Sequence, residues 1–341
     1  MEKALIAMSG GVDSSVAAFL MQQKGYECIG ATMNLLGEET DINDALKIAD
    51  KLKIPFHTFD FSEEFKKEII GYFIESYEAG ETPNPCLKCN KYFKFGKMQM
   101  VAKALGCTKV ATGHYAIIEK KGDRYLLKKA ADPGKDQSYF LYSLSQEQLA
   151  YSEFPLGEFT KEEAREIALL NGFVNAKRKD SQDICFVPDG DYISVIENIT
   201  GKSYPCGDFV DINGNILGKH KGIIRYTVGQ RKGLGLALPC PMYVKEKDVL
   251  GNRIILSQNE ELFEKELIAR DFNWIAFDNP DREIRAKAKI RCRHKEADAT
   301  IIPLNDGKVK VIFDEPQRAI AKGQAVVAYD GDVVIGGGII E

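Results

Sequence analysis

The segment M-S-G-G-V-D-S-S at residues 8–15 constrains the fold of this chain more than any other feature. It follows an apolar run from Ala4 to Ala7 that predicts a buried strand, and it precedes an apolar run that predicts a helix. Two adjacent glycines allow a sharp turn and a close approach of the backbone to an anion, which the N-terminus of a helix attracts. The lysine of the pattern G-x-x-x-x-G-K-[ST] is absent. The sequence therefore predicts a phosphate-binding loop that is not a standard P-loop.

The acidic residue of this loop, Asp13, has more than one interpretation. A carboxylate in the first turn of a helix is favoured by the helix dipole alone. In a phosphate-binding loop the same carboxylate could be a magnesium ligand or could orient the loop, and we favour these two roles.

Strands alternate with amphipathic helices through the first half of the chain. We predict strands at 26–34, 56–60 and 109–112, with helices at 41–52 and 62–78. This alternation favours an α/β fold with a doubly wound parallel sheet of the Rossmann-like kind, in which ligands bind beyond the carboxyl ends of the strands. Residues 8–15 and Gly113-His114-Tyr115 both fall at such ends.

The pattern changes after about Asp191. Glycines cluster between Gly207 and Gly235, and beyond about Glu264 short β segments with turn residues predict a small barrel or a sandwich. We therefore predict a catalytic domain at 1–191, a small central domain at 192–262 and a C-terminal β-barrel at 263–341.

Composition excludes several classes of protein. The 341 residues carry a formal net charge of −4, so no global field attracts nucleic acid, and RNA binding would need local basic patches such as residues 291–295. No apolar run reaches the length of a membrane span and no signal peptide is evident, which predicts a cytoplasmic protein without membrane contact.

The eight cysteines do not predict a disulfide framework in a cytoplasmic protein. Cys86 and Cys89 form a C-x-x-C pair in the segment 80–90, where two prolines and a glycine predict a shaped loop rather than a helix. A zinc site is disfavoured because no second C-x-x-C or H-x-x-H pair is present. For Cys185, between Ile184 and Phe186, a buried inert thiol is the default interpretation.

Ordered motifs along the whole chain resemble a known family. S-G-G-x-D-S-S is the signature of the PP-loop ATP pyrophosphatases, and the chain as a whole resembles the bacterial tRNA-specific 2-thiouridylases. The further matching motifs are T-P-N-P-x-x-x-C-N, A-T-G-H-Y-A, K-D-Q-S-Y-F-L-Y, D-I-C-F, T-V-G-Q-R-K-G-L-G and G-G-G-I-I-E. The resemblance implies that ATP adenylates O2 of the wobble uridine (U34) of tRNA, with Mg²⁺ neutralising charge, and that sulfur then replaces this oxygen.

The resemblance also implies roles for individual residues. Cys185 matches the cysteine that carries a persulfide, and Cys89 matches a second catalytic cysteine that assists sulfur release and can form a disulfide with Cys185. Positions that match ATP contacts are Ala7, Met8, Ser9, Gly10, Gly11, Val12, Asp13, Ser14, Met33 and Gly113. Positions that match tRNA contacts are Asn84, Pro85, Cys86, His114, Lys135, Asp136, Gln137, Arg291, Cys292 and Gln324.

Two residues depart from the family pattern. Many members carry an aspartate at the position of Cys86, where it would act as an acid or base near the uracil, and a tyrosine is often found at the position of Cys292. Cys86 also admits a different chemistry, in which Cys86, Cys89 and Cys185 hold a [4Fe–4S] cluster whose fourth iron binds the sulfide to be transferred. We give this cluster equal weight with the persulfide route.

The implied partners are tRNA, with the lysine, glutamate and glutamine acceptors expected, and a sulfur source. That source is a sulfur carrier protein or cysteine desulfurase on the persulfide route, and inorganic sulfide on the cluster route. Two other functions remain open. A PP-loop amidotransferase or ligase of the argininosuccinate or GMP synthetase kind would not need paired cysteines, and a tRNA-binding or iron–sulfur scaffold would not cleave ATP.

Overall fold

The computed structural model describes residues 1–36, 40–178, 183–278 and 280–341. The strands are β1 Lys3–Ala7, β2 Glu27–Asn34, β3 Phe56–Asp60, β4 Lys109–Ala111, β5 Ile117–Lys121, β6 Arg124–Lys128, β7 Ser152–Glu153, β8 Gly207–Val210, β9 Ile216–His220, β10 Tyr243–Asp248, β11 Arg253–Ser257, β12 Phe263–Trp274, β13 Ile284–Lys289, β14 Ala297–Pro303, β15 Val309–Arg318, β16 Ala325–Asp330 and β17 Val333–Ile340.

The helices follow the same chain order. They are α1 Val12–Gln23, α2 Thr40–Leu52, α3 Ser62–Phe65, α4 Gly71–Glu78, α5 Pro85–Cys89, α6 Met98–Ala104, α7 Ser138–Leu141, α8 Gln146–Tyr151, α9 Lys161–Leu170 and α10 Tyr192–Thr200. Two π-helical segments, Lys66–Ile70 and Asn90–Lys97, join α3 to α4 and α5 to α6. No helix in the described ranges is long and apolar enough to cross a membrane.

The N-terminal sheet has the order β3-β2-β1-β4-β7, and every pairing in it is parallel. Side chains of β1 alternate between two cores: Ala4 and Ile6 pack on one face with α1 and α2, and Leu5 packs on the other with α6. The predicted doubly wound α/β fold is confirmed. The loop at residues 8–15 lies between the carboxyl end of β1 and the start of α1.

The central sheet has the order β10-β11-β8-β9 and includes one parallel pairing, between β8 and β11. Its buried side chains, among them Phe209 and Val244, share a hydrophobic cluster with Phe73 of α4, with Cys89 of α5 and with Phe186. The central domain is thereby packed against the helices that carry the C-x-x-C pair.

The C-terminal strands close into a barrel through β12-β15-β14-β13-β16-β17, with β17 pairing back onto β12. The predicted C-terminal β-barrel is therefore confirmed. Its core continues into the N-terminal domain, because Leu87 and Phe95 belong to the same hydrophobic cluster as Val327 and Tyr329.

The prediction of an irregular loop around the C-x-x-C pair is wrong. Residues 85–89 form α5, and the helical path continues through the π-helical segment into α6. The side chain of Asn84 caps this helix by accepting a hydrogen bond from the Cys86 N–H at 3.2 Å. Pro85 occupies the first helical position, where a missing N–H costs nothing. The prolines therefore start a helix here.

Candidate active site

A hydroxyl group of the phosphate-binding loop bonds to the backbone of the same loop. Gly10 turns the chain with φ +71°, and Gly11 is the N-cap of α1 with extended backbone and no side-chain cap from the described residues. The Ser14 hydroxyl donates to Gly11 O at 3.1 Å and accepts from the Ser9 N–H at the same distance. Ser9 itself is exposed. The first-turn N–H groups of α1 are left for an anion, as a phosphate requires.

Asp13 is engaged by two other side chains of the domain. The Lys161 ammonium lies 2.7 and 2.9 Å from its two carboxylate oxygens, and the Tyr115 hydroxyl donates to Oδ1 at 2.9 Å. Lys161 is only 5% exposed. Of the roles considered for Asp13, this arrangement supports the one of orienting the loop.

The K-D-Q segment supports the same loop from behind. The Gln137 side chain accepts from the Tyr115 N–H at 2.9 Å, and the Gln137 N–H donates to Tyr115 O at 2.8 Å. Asp136 accepts from the N–H and hydroxyl of Ser138. In this conformation Asp136 and Gln137 therefore bond to the protein, and Gln137 fixes the tyrosine that holds Asp13.

Two more of the predicted ATP-contacting positions lie beside the loop. A Cβ at Gly113 would fall 2.7 Å from Ser14 N, so only glycine lets the end of β4 approach α1 this closely. Met33, at the carboxyl end of β2, packs against the hydrophobic cluster that contains Cys89. Ala7 ends β1, and Met8 and Val12 are buried beneath the loop.

The two cysteines of the C-x-x-C pair lie on α5 and differ in exposure. Cys86 is half-buried and Cys89 is buried. Cys185 comes from a different part of the chain and is exposed. Its neighbours Ile184 and Phe186 pack in the same cluster as Cys89, which brings the D-I-C-F motif to α5.

The thiols of these three cysteines are neutral in this conformation. Burial raises the pKa of Cys89 to about 12 and also raises the pKa values of Cys86 and Cys185. Protein atoms surround the Cys185 thiol although the residue keeps exposed surface. Lys94 opposes these shifts, since its positive charge lowers the pKa of all three thiols. The cysteines also act on one another, Cys185 and Cys86 raising the pKa of Cys89, so they are neighbours.

The π-helical segment explains how Lys94 reaches the cysteines. Lys94 follows Cys89 by five residues, a spacing that an α-helix places on different faces. Bonding of the π-helical type, seen where the Met98 N–H donates to Phe93 O, brings residues five apart into successive turns.

The structure does not assemble the predicted cluster ligands. Among the described residues, no group of three or more His, Cys, Asp or Glu side chains is arranged to hold a metal ion. The expected [4Fe–4S] site on Cys86, Cys89 and Cys185 is therefore not supported.

Several predicted tRNA contacts are turned into the protein. His114 is 7% exposed, packs against Phe95 and Phe154, and bonds through Nδ1 to the Thr112 hydroxyl at 2.7 Å. Burial holds its pKa well below the usual range. His114 therefore packs inside the protein in this conformation, and its contact with tRNA stays a prediction.

Arg291 and Gln324 of the barrel bond to other domains. The Arg291 guanidinium donates to Ala319 O at 2.9 Å and to Val228 O, in the central domain, at 3.2 Å. Gln324 Nε2 donates to Thr82 O at 2.7 Å. Both side chains therefore bond to the protein, whereas a side chain that contacts only a phosphate or a base would point into solvent in the free protein.

The other positions expected to contact tRNA are more accessible. Asn84, Cys86, Lys135 and Cys292 are half-buried, whereas Pro85 is buried. Cys292 packs against the cluster shared by the barrel and the N-terminal domain.

Four residues of the site were missed by the sequence analysis. Lys161 lies in the first turn of α9 and in none of the quoted motifs, and Tyr115 belongs to the A-T-G-H-Y-A motif without a role of its own. Lys94 was seen only as part of a helix. Asn175 was not singled out, yet its amide donates to Gly10 O at 2.8 Å and to the Ser15 hydroxyl at 2.9 Å. No local pattern marks these residues, because each acts across 102 or more positions or through an unusual helix.

Family models and curated relatives cover the whole chain. The tRNA methyl transferase HUP domain matches residues 2–189, the tRNA methyl transferase PRC-barrel domain matches 194–258, and the aminomethyltransferase beta-barrel domain matches 264–340. The tRNA-specific 2-thiouridylase MnmA of Clostridium botulinum (strain Alaska E43 / Type E3) is 49% identical, over 100% of this chain and 98% of that protein. The tRNA-specific 2-thiouridylase MnmA of Acetivibrio thermocellus is 50% identical, over 100% and 99%.

Similarity to solved structures is weaker. A 4-thiouridine synthetase in complex with RNA and bound ATP matches with a TM-score of 0.37 and 18% identity, over 58% of this chain and 50% of that chain. Similarity this weak supports no conclusion about the site of this chain.

Proposed function

The chain belongs to the family of tRNA-specific 2-thiouridylases, and we propose on this ground that it is an ATP-dependent tRNA sulfurtransferase acting on O2 of the wobble uridine (U34). The observation that carries the proposal is the meeting of the D-I-C-F cysteine with the C-x-x-C helix. Two of the family models carry the name of a tRNA methyl transferase. Two neighbouring cysteines suit sulfur transfer, and the full-length relatives are named for thiolation.

The first half of the proposed reaction activates the uracil oxygen. The loop at residues 8–15 binds the phosphates of ATP through backbone N–H groups and the Ser9 hydroxyl. Attack of uracil O2 on the α-phosphate releases pyrophosphate and leaves AMP on the oxygen. Mg²⁺ bound to ATP phosphates would neutralise charge in this step. Asp13 pairs with Lys161 and accepts a hydrogen bond from Tyr115, which favours a role in orienting the loop.

The second half replaces the activated oxygen by sulfur. The terminal sulfur of a persulfide on Cys185 attacks C2 of the uracil, and AMP leaves with the former O2. The Cys89 thiolate then attacks the inner sulfur of Cys185, which leaves sulfur on C2 and forms a Cys89–Cys185 disulfide. A reducing thiol restores both cysteines. The exposure of Cys185 favours its loading by a sulfur carrier protein or cysteine desulfurase, and the burial of Cys89 favours a role after tRNA has bound.

Cysteine variants separate this function from amino-group transfer by a PP-loop ligase. We expect Cys185→Ser and Cys89→Ser each to abolish thiolation of tRNA while tRNA-dependent release of pyrophosphate continues, because adenylation precedes sulfur transfer. Cys206→Ser, at an exposed cysteine of the central domain, is the matched control. Full activity of either catalytic variant would favour the ligase, and the absence of pyrophosphate release in the wild type would favour a scaffold.

The sulfur donor is tested by iron and acid-labile sulfide content after purification without oxygen. The persulfide route predicts iron-free protein that is active with a persulfide carrier. A stoichiometric cluster that is lost in Cys86→Ala would contradict it.

A further inference from the structure

The segment that leads into the cysteine helix is bound by the other two domains. We call residues 80–84, between α4 and α5, the strap. Both backbone groups of Thr82 bond to the barrel: its N–H donates to Lys322 O at 2.8 Å, and its carbonyl accepts from Gln324 Nε2 at 2.7 Å. The strap is therefore fixed at this residue by the C-terminal domain.

The central domain holds the neighbouring residue. Lys247 Nζ of β10 donates to Glu81 O at 3.2 Å and lies over the Tyr77 ring. Arg270 of the barrel pairs with the Glu81 carboxylate at 3.3 Å. Burial lowers the pKa of Lys247 to about 8, which shows how far this ammonium group is removed from water.

Close packing leaves the strap no room to move alone. A Cβ at Gly80, where φ is +81°, would lie 2.7 Å from Val249 Cγ2 of the central domain. A Cβ at Gly323, where φ is +84°, would lie 2.8 Å from Glu81 Cβ. At each position a glycine packs closely against a side chain of another domain. A shift of the central domain or of the barrel would therefore displace the strap.

The position of the strap sets the position of helix α5, which carries Cys86 and Cys89. Thr82 stands two residues before Asn84, whose side chain caps α5 at Cys86 N. Only Pro83, which is buried and conformationally restricted, lies between them. The placement of Cys86 and Cys89 thus depends on the contacts at Glu81 and Thr82.

We propose that Gln324 and Lys247 are positioning residues. They hold the strap, and through it the cysteine helix α5, in the position that α5 needs to meet the target base. The inference rests on the proposed function. It gives Gln324 a task different from the direct tRNA contact expected from the resemblance. It also makes the central domain and the barrel determinants of the sulfur-transfer step as well as surfaces for RNA.

Two substitutions remove the contacts with little change in size. Gln324→Glu replaces the amide donor by an acceptor that faces Thr82 O, and Lys247→Met removes the ammonium group. Lys247→Arg keeps a donor and should restore part of the function. Gln317→Glu, where the amide donates only locally to Glu315 O, and Lys245→Met on the same strand are the matched controls.

Three measurements on the full chain decide the inference. Amide hydrogen exchange of residues 80–90 is followed in the absence of substrates. The dissociation constant for tRNA is measured by direct binding, and the thiolation rate is measured in a single turnover at saturating tRNA. We expect faster exchange in Gln324→Glu and Lys247→Met and an unchanged dissociation constant. The thiolation rate should fall by about 10- to 100-fold, the cost of misplacing reacting groups by a fraction of an ångström to an ångström.

Two results would overturn the inference. The first is wild-type exchange in both variants. The second is weaker tRNA binding with unchanged exchange, which would make Gln324 a direct tRNA contact. If the wild type fails to thiolate tRNA, the proposed function falls, and the exchange measurement alone still decides whether these residues hold the strap.

Discussion

The Asp13–Lys161 pair is the residue contact on which the phosphate-binding loop depends. Lys161 is almost fully buried, and its ammonium group bonds both oxygens of Asp13. Removing one partner of a buried pair leaves an uncompensated charge, which is costly. The side chain of Asp13 is 32% exposed, so water offsets part of this cost.

We predict that Lys161→Met lowers the free energy of unfolding by about 2 kcal/mol and abolishes pyrophosphate release, because Asp13 no longer orients the loop. Denaturant unfolding and a pyrophosphate assay measure the two effects. Lys103→Met breaks an exposed pair with Glu147 and should change the free energy of unfolding far less than Lys161→Met does. Equal losses in the two variants would contradict the assignment.

Lys94 controls the reactivity of the cysteines through its charge. Because it lowers the pKa of Cys86, Cys89 and Cys185, we predict that Lys94→Met raises the pH at which these thiols become thiolates. The rate of iodoacetamide alkylation at Cys185, measured against pH by mass spectrometry, should then have its midpoint at higher pH. Lys91→Met is the control on the same helix, and an unchanged midpoint in Lys94→Met would refute the role of Lys94.

His114 makes stability depend on pH. Its pKa is depressed by burial, so the unfolded chain binds this proton more readily than the folded chain. Stability should therefore fall as the pH drops below the unfolded value of about 6.5. We predict that His114→Phe shows a smaller loss of unfolding free energy between pH 7 and pH 5 than the wild type does. Identical pH profiles would mean that folding does not shift the pKa of His114.

The approach of β4 to α1 is the contact between elements that shapes the site. A side chain at Gly113 would meet Asp13 and Ser14 backbone atoms at 2.7 Å. We predict that Gly113→Ala displaces the start of α1 and weakens ATP binding by at least about tenfold, since misplaced donors lose their hydrogen bonds. ATP affinity by calorimetry is the measurement.

Gly71→Ala is the matched glycine control for this prediction. Gly71 has helical backbone angles, and a Cβ there would make only an ordinary contact at 3.7 Å. This change should leave ATP affinity intact and raise stability by about 0.5–1 kcal/mol. Similar ATP affinities in the two alanine variants would show that the close approach of β4 is not needed.

The elements differ in how well the sequence predicts them. Regular alternation predicts β1 to β4 and α2, because local hydrophobic periodicity and the core agree there. The α5 helix was missed because Pro85 was taken as a loop signal, whereas at the first helical position proline is compatible with a helix. The π-helical segment Asn90–Lys97 was missed as well, since the sequence predicted only a helix there. It is this segment that places Lys94 near the cysteines.

Over the whole molecule, motifs identify the family and the groups that react, but they do not give the contacts between domains. Asp136, Gln137, Arg291 and Gln324 were expected at the RNA surface, and their side chains bond within the protein. The pairings of Gln137, Arg291 and Gln324 join positions 22 to 242 residues apart. Only the packed structure brings them together, and it shows that these side chains bond within the protein in this conformation.

The measurement to make first is product analysis after incubation of the purified protein with a tRNA transcript, ATP and a persulfide donor. Mass spectrometry of the digested RNA, with parallel assay of AMP and pyrophosphate, identifies both products. We predict 2-thiouridine at the wobble position, with one AMP and one pyrophosphate released for each sulfur transferred. Pyrophosphate release without sulfur in the RNA, or sulfur at another position, would contradict the proposed function.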